Sequence, residues 1–162
     1  MPKPDLSELT NLPEDDLDDI LAAIRRGAST PKELFDFDDS SLSSIENVAL
    51  GYYRSEKYAE ASLIYGLATR MDPTRMSCWR GLGACAQSQK DYDTAIVCYD
   101  MALERDPNDI VTKTCLGETC CLHGQRDRGL QLLREVVAAG GDLPQWKTYT
   151  KRARVILSSR MK

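Results

Sequence analysis

The sequence predicts an all-α fold of three stacked helical repeats in a right-handed superhelix, with an amphipathic helix before them and a capping helix after them. Three observations predict it. A chain of 162 residues fits one domain with a proper core. Its abundance of Ala, Leu, Glu, Arg and Asp, with only two Phe and two Trp, favours helices over sheet. The sequence also matches itself at an offset of 34.

Residues 1–41 are predicted to contain an amphipathic helix from Glu14 to Arg26, followed by a connection from Gly27 to Ser40. Pro13 and an acidic first turn suit the start of this helix, and two arginines suit its end. The helix carries one apolar stripe at i, i+3, i+4, i+7, formed by Leu17, Ile20, Leu21 and Ile24. Such a stripe is buried either on the repeats or on a second chain. We expect a partner subunit, which makes these four residues candidate dimer contacts.

The repeats are predicted at 42–75, 76–109 and 110–143. The stretch YAEASLIYGLATRMDP, Tyr58 to Pro73, returns as YDTAIVCYDMALERDP, Tyr92 to Pro107, and a period of 34 is typical of the tetratricopeptide repeat. Small residues such as Ala49 and Gly83 should let the two helices of a repeat approach each other. Proline after Asp72 and Asp106 should end each second helix. The third copy keeps the small residues and loses the tyrosines and the proline.

Residues 144–162 are predicted to cap the stack with a helix from Gln145 to Arg160. Its inner stripe is expected to consist of Trp146, Tyr149, Ala153 and Ile156. Its outer face carries Lys147, Lys151, Arg152 and Arg154, and we expect that face to be solvated.

Charge and composition exclude several functions. A net charge of -4 and a pI near 5.1 disfavour nucleic-acid binding, which needs a basic patch. The polar, acidic start is unlike a signal segment, and no apolar run is long enough to cross a bilayer. We therefore expect a cytoplasmic protein that does not insert into membranes. The six cysteines lie in predicted helices, and we interpret them as reduced, small apolar residues.

No enzyme site, metal site or cofactor is predicted. Cys120 and His123 share a helix face, but Cys120 occupies a packing position and a nucleophile needs an oriented base and a lowered thiol pKa. The cysteines near His123 scatter around the helix instead of pairing at i, i+4. Gly81 and Gly83 lie in mid-helix without a preceding strand, so they do not form a phosphate loop.

Two stretches resemble a known family, the class II chaperones of bacterial type III secretion systems. They are GASTPKELFDFDDSSLSSIENVALGYYRSEKYAEA (Gly27 to Ala61) and WRGLGACAQSQKDYDTAIVCY (Trp79 to Tyr99), and the likeness spans Glu14 to Leu133. The resemblance implies a bacterial cytoplasmic chaperone that binds secreted, pore-forming translocator proteins through an extended segment in a concave groove. It also implies dimerisation through the N-terminal region.

Helical spacing points to the same groove. On each first helix one stripe faces the second helix, so the neighbouring stripe should face the inside of the curve. The predicted groove residues are Glu46, Leu50 and Tyr53, then Arg80, Ala84 and Gln87, then Thr114, Glu118 and Cys121. Leu50 and Tyr53 fall on positions that contact cargo in the family. Glu46 and Arg80 replace apolar residues of relatives, and are expected to pair across adjacent repeats or to contact polar cargo.

Other repeat proteins remain as alternatives. A co-chaperone that grips an acidic C-terminus needs cationic groove positions, whereas Glu46 and Leu50 stand there. A generic repeat scaffold or assembly factor would share the groove and differ only in its cargo.

Overall fold

The computed structural model describes Thr30, Lys32, residues 38–141 and residues 143–159. Within these residues the chain forms seven α-helices and one 3-10 helix. They are α1 (Asp39–Arg54), α2 (Tyr58–Met71), α3 (Met76–Ser88), α4 (Tyr92–Arg105), α5 (Ile110–Leu122), α6 (Arg126–Gly140), the 3-10 helix Pro144–Trp146 and α7 (Lys147–Ser159). The predicted all-α repeat fold is confirmed, with three helix pairs followed by a terminal helix. The predicted helix from Glu14 to Arg26 lies outside the described residues.

Aspartates start and end these helices. The N-cap carboxylates of α1, α4 and α5 each accept a backbone N–H three residues on, at 2.7 to 3.2 Å, and belong to Asp38, Asp91 and Asp109. This contact satisfies one of the donors left free at a helix start. Asp72 and Asp106 follow the ends of α2 and α4, where their carboxylates accept the N–H groups of Thr74 and Asn108 at 3.0 Å. The Asp-Pro steps therefore end both second helices, as predicted.

Small residues bring the helices of each repeat together. Ala49, Ala61 and Ala95 have no exposed surface. A Cβ atom on Gly83 would lie 2.8 Å from the Tyr99 ring, and one on Gly81 would lie 2.4 Å from the Tyr65 ring. Both glycines are thus packing positions, Gly83 within its own repeat and Gly81 against the preceding one.

The two helices of the third repeat cross with backbone close to backbone. A Cβ atom on Gly129 of α6 would lie 2.6 Å from the carbonyl oxygen of Gly117 and 2.6 Å from Sγ of Cys121, both on α5. This crossing therefore leaves no room for a side chain at position 129.

The terminal helix α7 covers the last repeat as predicted. Ala153 is fully buried, and Trp146, Tyr149 and Ile156 border the same core cluster as Leu133. Across the part of the chain that the structure describes, no helix combines the length and apolarity needed to cross a membrane.

Candidate peptide-binding groove

The first helices of the repeats line the inner side of the stack. Each of α1, α3 and α5 contacts the next first helix in the series, ending with α7, whereas the described second helices α2, α4 and α6 make no comparable contact with one another. Closer spacing on the first-helix side makes that side concave. The predicted groove residues all lie on α1, α3 and α5.

The groove is apolar and accessible over the first two repeats. Leu50, Tyr53 and Ala84 are each half-buried. The Tyr53 ring meets the Tyr58 ring edge-on, with centroids 5.3 Å apart, and its body borders the core around Ala49. Its position is thus set by packing while part of its surface faces outward, which is the arrangement of a recognition residue.

Gln87 is held by the core beneath it. The buried Tyr99 hydroxyl donates a 2.8 Å hydrogen bond to Oε1 of Gln87. Burial raises the pKa of Tyr99, so this hydroxyl keeps its proton and remains a donor. The remaining amide N–H groups of Gln87 are available to a bound main chain.

Two ion pairs of opposite polarity join successive first helices. Nε of Arg75, the N-cap residue of α3, donates to Oε2 of Glu46 at 3.0 Å, and Nη1 of Arg80 donates to Oδ2 of Asp109 at 3.1 Å. Asp109 occupies the position of Arg75 one repeat later, so the same contact recurs with its charges exchanged. Glu46 and Arg80 do pair across adjacent repeats, but with cap residues and not with each other.

The third-repeat part of the predicted groove is closed. Thr114 has no exposed surface, and Glu118 and Cys121 are 7 % exposed. The Thr114 hydroxyl donates inside α5 to the Ile110 carbonyl at 2.7 Å. In this conformation Thr114 presents no surface to a peptide. Glu118 and Cys121 present little, at a cavity of about 280 Å³ that they share with Gln87. Their place in the groove stays a prediction. Sequence spacing places them on the inner side but does not show what lies over them.

The cover comes from α7, whose Arg152 binds the Glu118 carboxylate through both Nε and Nη2. Burial raises the pKa of Glu118, and the guanidinium opposes that shift by favouring the charged form. The basic outer face is exposed, as expected, at Lys147, Lys151, Arg152 and Arg154. From this face Arg152 also neutralises a carboxylate that would otherwise be buried alone.

A cavity of about 600 Å³ opens beside this ion pair, between α5 and α7. Its lining is an apolar floor with a cationic rim, made by Glu118, Lys147, Thr148, Lys151, Arg152, Val155 and Ile156. Three of these continue the groove rows at the same offset of 34, with Thr148 following Thr114, Arg152 following Glu118 and Val155 following Cys121. Extending the repeat offset into α7 would have found them from the sequence. The helix takes the position that a further first helix would have in the stack.

The thiol-enzyme and metal-site hypotheses find no support in the described region. Cys120 has no exposed surface, burial raises the pKa of its thiol, and its Sγ lies 3.9 Å from Oε1 of Gln125. Nε2 of His123 lies 3.0 Å from Oδ1 of Asp93 and so is not aimed at the thiol. Among the described residues, no three His, Cys, Asp or Glu side chains are placed so that they could hold a metal ion.

The proposed dimer contacts Leu17, Ile20, Leu21 and Ile24 lie outside the described residues, so the structure gives them no position.

Known proteins share the sequence pattern and the fold. The family model of the tetratricopeptide repeat matches residues 77–109. These residues therefore match one tetratricopeptide repeat. Low calcium response locus protein H of Yersinia pseudotuberculosis is 26% identical over 137 residues, which cover 83% of this chain and 80% of that protein.

Solved structures extend the likeness to the whole stack. The type III secretion translocator chaperone SycD of Yersinia enterocolitica superposes with a TM-score of 0.75 at 22% identity, over 82% of this chain and 99% of SycD. PcrH from Pseudomonas aeruginosa gives 0.72 at 21% identity, over 78% and 96% of the two chains. The chain therefore has the fold of translocator chaperones. A repeat scaffold and a chaperone fold agree with the prediction of a non-enzymatic protein.

Proposed function

We propose that this protein is a chaperone of a bacterial type III secretion system, which holds translocator proteins in the cytoplasm before their export. An extended cargo segment lies along the groove, with apolar side chains against Leu50, Tyr53 and Ala84. Occupancy of the groove keeps an aggregation-prone, membrane-inserting cargo away from wrong partners.

One observation carries the proposal: the accessible groove residues are apolar while the charges beside them are already paired. Glu46 is bound by Arg75 and Arg80 is bound to Asp109. These charges need no partner from the cargo, so the groove can accept an apolar segment without leaving a carboxylate or guanidinium unpaired. A clamp for an acidic peptide would instead leave free cations at these positions.

Proteins with this fold support the choice of cargo. SycD has been solved with a peptide of the translocator YopD, and PcrH with the chaperone binding regions of PopD and of PopB. The present chain shares the fold of both proteins. Translocators are therefore the cargo class that we assign to it.

The test is a titration with fluorescently labelled YopD peptide and PopD chaperone binding region. The double variant Leu50→Asp with Tyr53→Asp should weaken binding at least tenfold, because charged groups would line an apolar site (about 1.4 kcal/mol per factor of ten). Its far-ultraviolet circular dichroism should match that of the unsubstituted protein. Equal affinity of the variant would exclude this groove as the site.

A matched control lies on the second helices. Leu63 of α2 and Val97 of α4 are 74% and 60% exposed and occupy equivalent positions in two repeats. Leu63→Asp with Val97→Asp introduces the same charge away from the groove and should leave affinity unchanged. If the unsubstituted protein binds neither translocator region, the generic scaffold replaces the translocator chaperone.

A further inference from the structure

The terminal helix α7 leaves uncovered the face that α3 and α5 each turn toward the second helix of their own repeat. Gly83 of α3 lies against Tyr99 of α4, and Gly117 of α5 lies against Leu133 of α6. At the repeat offset of 34, the equivalent of both glycines in α7 is Lys151, which is exposed. The described residues contain no second helix after α7, so no helix among them packs on this face.

Lys147, one helical turn before Lys151, shows which kind of group suits this face. Its equivalent one repeat earlier is Lys113 of α5, whose Nζ lies 2.8 Å from Oε2 of Glu135 on α6. Lys147 keeps the cation, but no carboxylate of the described residues pairs with it or with Lys151. The third repeat therefore supplies from its second helix the carboxylate that α7 lacks.

Two cavities flank Lys147 and Lys151, which we call the lysine ridge. One cavity, of about 600 Å³, is the cavity beside the ion pair of Arg152 with Glu118, and the other has a volume of about 450 Å³. Both lysines line both cavities. The other residues of the second cavity are Pro144, Thr150 and Arg154. In the first cavity the aliphatic Val155 is 57% exposed, so apolar surface lies next to the unpaired cations.

We propose that this face of α7 is a docking site for an acidic segment of a partner protein. Carboxylates of that segment pair with Lys147 and Lys151, as Glu135 pairs with Lys113 within the chain. Apolar side chains beside those carboxylates enter the two cavities. The ion pair of Arg152 with Glu118 separates this site from the open part of the groove, so the proposal does not depend on what the groove binds.

Charge complementarity identifies the partner segment as acidic. The helix α7, KTYTKRARVILSS, contains four cationic residues and no acidic residue, in a chain whose net charge is -4. Arg152 is bound to Glu118, and Nη2 of Arg154 donates to the Gly141 carbonyl at 3.3 Å. The lysine ridge therefore provides the cations to which a ligand carboxylate can bind directly.

A second copy of this chain and a nucleic acid fit the face less well. Lys151 places a long side chain where Gly117 allows close helix packing, so a further repeat cannot continue the stack on this face. A nucleic acid carries a phosphate at every nucleotide, which the acidic chain as a whole repels. An acidic peptide satisfies both the lysines and the apolar surface of Val155.

Fluorescence anisotropy with short labelled peptides tests the proposal on the full-length protein. A peptide in which glutamates alternate with leucines should bind. Replacing its glutamates by glutamines, or its leucines by serines, should each weaken binding about tenfold. Binding should also weaken as the salt concentration rises, because the lysines are exposed. Failure of the peptide with glutamates and leucines to bind would overturn the proposal.

Charge reversal tests whether the peptide binds to α7. Lys147→Glu with Lys151→Glu should weaken binding of the same peptide about tenfold or more. The matched control, Arg70→Glu with Arg105→Glu, makes the same change of charge at exposed positions of α2 and α4 and should leave the affinity unchanged. Far-ultraviolet circular dichroism checks that both variants are folded. Equal losses in the two variants would show attraction to net charge alone and would contradict a site on α7.

The groove variant Leu50→Asp with Tyr53→Asp distinguishes this site from the cargo groove. It should bind the peptide with glutamates and leucines as tightly as the unsubstituted protein does. Loss of binding in this variant would place the peptide in the groove and refute the site on α7. Tighter binding of a single-stranded oligonucleotide or of phosphatidylserine vesicles through Lys147 and Lys151 would equally refute a protein partner.

Discussion

The inner side of the stack is open over α1 and α3 and closed over α5, although all three helices carry groove residues at one spacing. Leu50, Ala84, Glu118 and Arg152 form one row at the repeat offset of 34. Leu50 is apolar and Ala84 is small, whereas Glu118 and Arg152 form an ion pair that covers the third-repeat end of the groove. The residue at the matching position of the next first helix therefore decides whether a groove residue is available to a ligand.

The largest expected effect is a loss of folding stability at high pH, caused by two buried thiols in the core behind the open half. Burial raises the pKa of Cys78 and of Cys98 to about 11 each, above the 9.0 of an exposed thiol. The folded protein keeps these protons where the unfolded chain loses them. Stability is therefore complete below pH 9 and falls as pH rises toward 11, by about 4 kcal/mol for the two thiols together.

Urea unfolding between pH 8 and 11 measures this loss. In the variant Cys78→Ala with Cys98→Ala, the decline should be smaller, and what remains should come from the other buried thiols and tyrosines. An equal decline in that variant would mean that water reaches the Cys78 and Cys98 thiols in the folded protein.

The close crossing of α5 and α6 in the closed half predicts the next largest change in stability. Gly129→Ala puts a methyl group against the Gly117 carbonyl and should destabilise the protein by about 3 kcal/mol. Gly66→Ala in α2 meets nothing within 4 Å and should stabilise it by about 0.5 to 1 kcal/mol. Thermal or urea unfolding compares the two, and equal effects would contradict the difference in packing.

The ion pair that closes the groove can be broken from its exposed side. Arg152→Ala leaves Glu118 buried without a partner and should cost about 2 kcal/mol, less than for a fully buried pair because the Arg152 side chain is 51% exposed. Adding Glu118→Gln should recover part of the loss in urea unfolding. A double variant less stable than Arg152→Ala alone would refute the pairing argument.

The smallest effect is expected in the open half. Arg80→Ala removes a partly exposed pair with Asp109, whose carboxylate still accepts the backbone N–H of Thr112 at 2.9 Å. The loss should be about 0.5 kcal/mol. A double-mutant cycle with Asp109→Asn measures the coupling, and a coupling as large as that of Arg152 with Glu118 would erase the contrast between the two halves.

Much of the fold follows from local signals in the sequence. The repeat offset, the small residues at Ala49 and Gly83 and the Asp-Pro steps act within or between neighbouring helices, where periodicity is informative. The same offset placed the candidate groove residues on the first helices α1, α3 and α5, where the structure has them. It also extends to α7, which takes the position of a further first helix.

Accessibility did not follow from spacing. Thr114 and Leu50 occupy the same side of their helices, yet one is sealed and the other half-exposed. Their environments depend on residues far along the chain, since Arg152 and Glu118 stand a full repeat apart and meet only through packing. Glu46 and Arg80 likewise pair with Arg75 and Asp109, the N-cap residues of the next first helices.

The repeat period, the helix ends and the rows of residues that share a helix face can be predicted from the sequence alone. Each of these features depends on contacts within one repeat or with its nearest neighbour. Which rows are open and which charges are already paired became known only from the fold. Those properties depend on how successive units stack, and stacking brings together side chains whose distance along the chain carries no local signal.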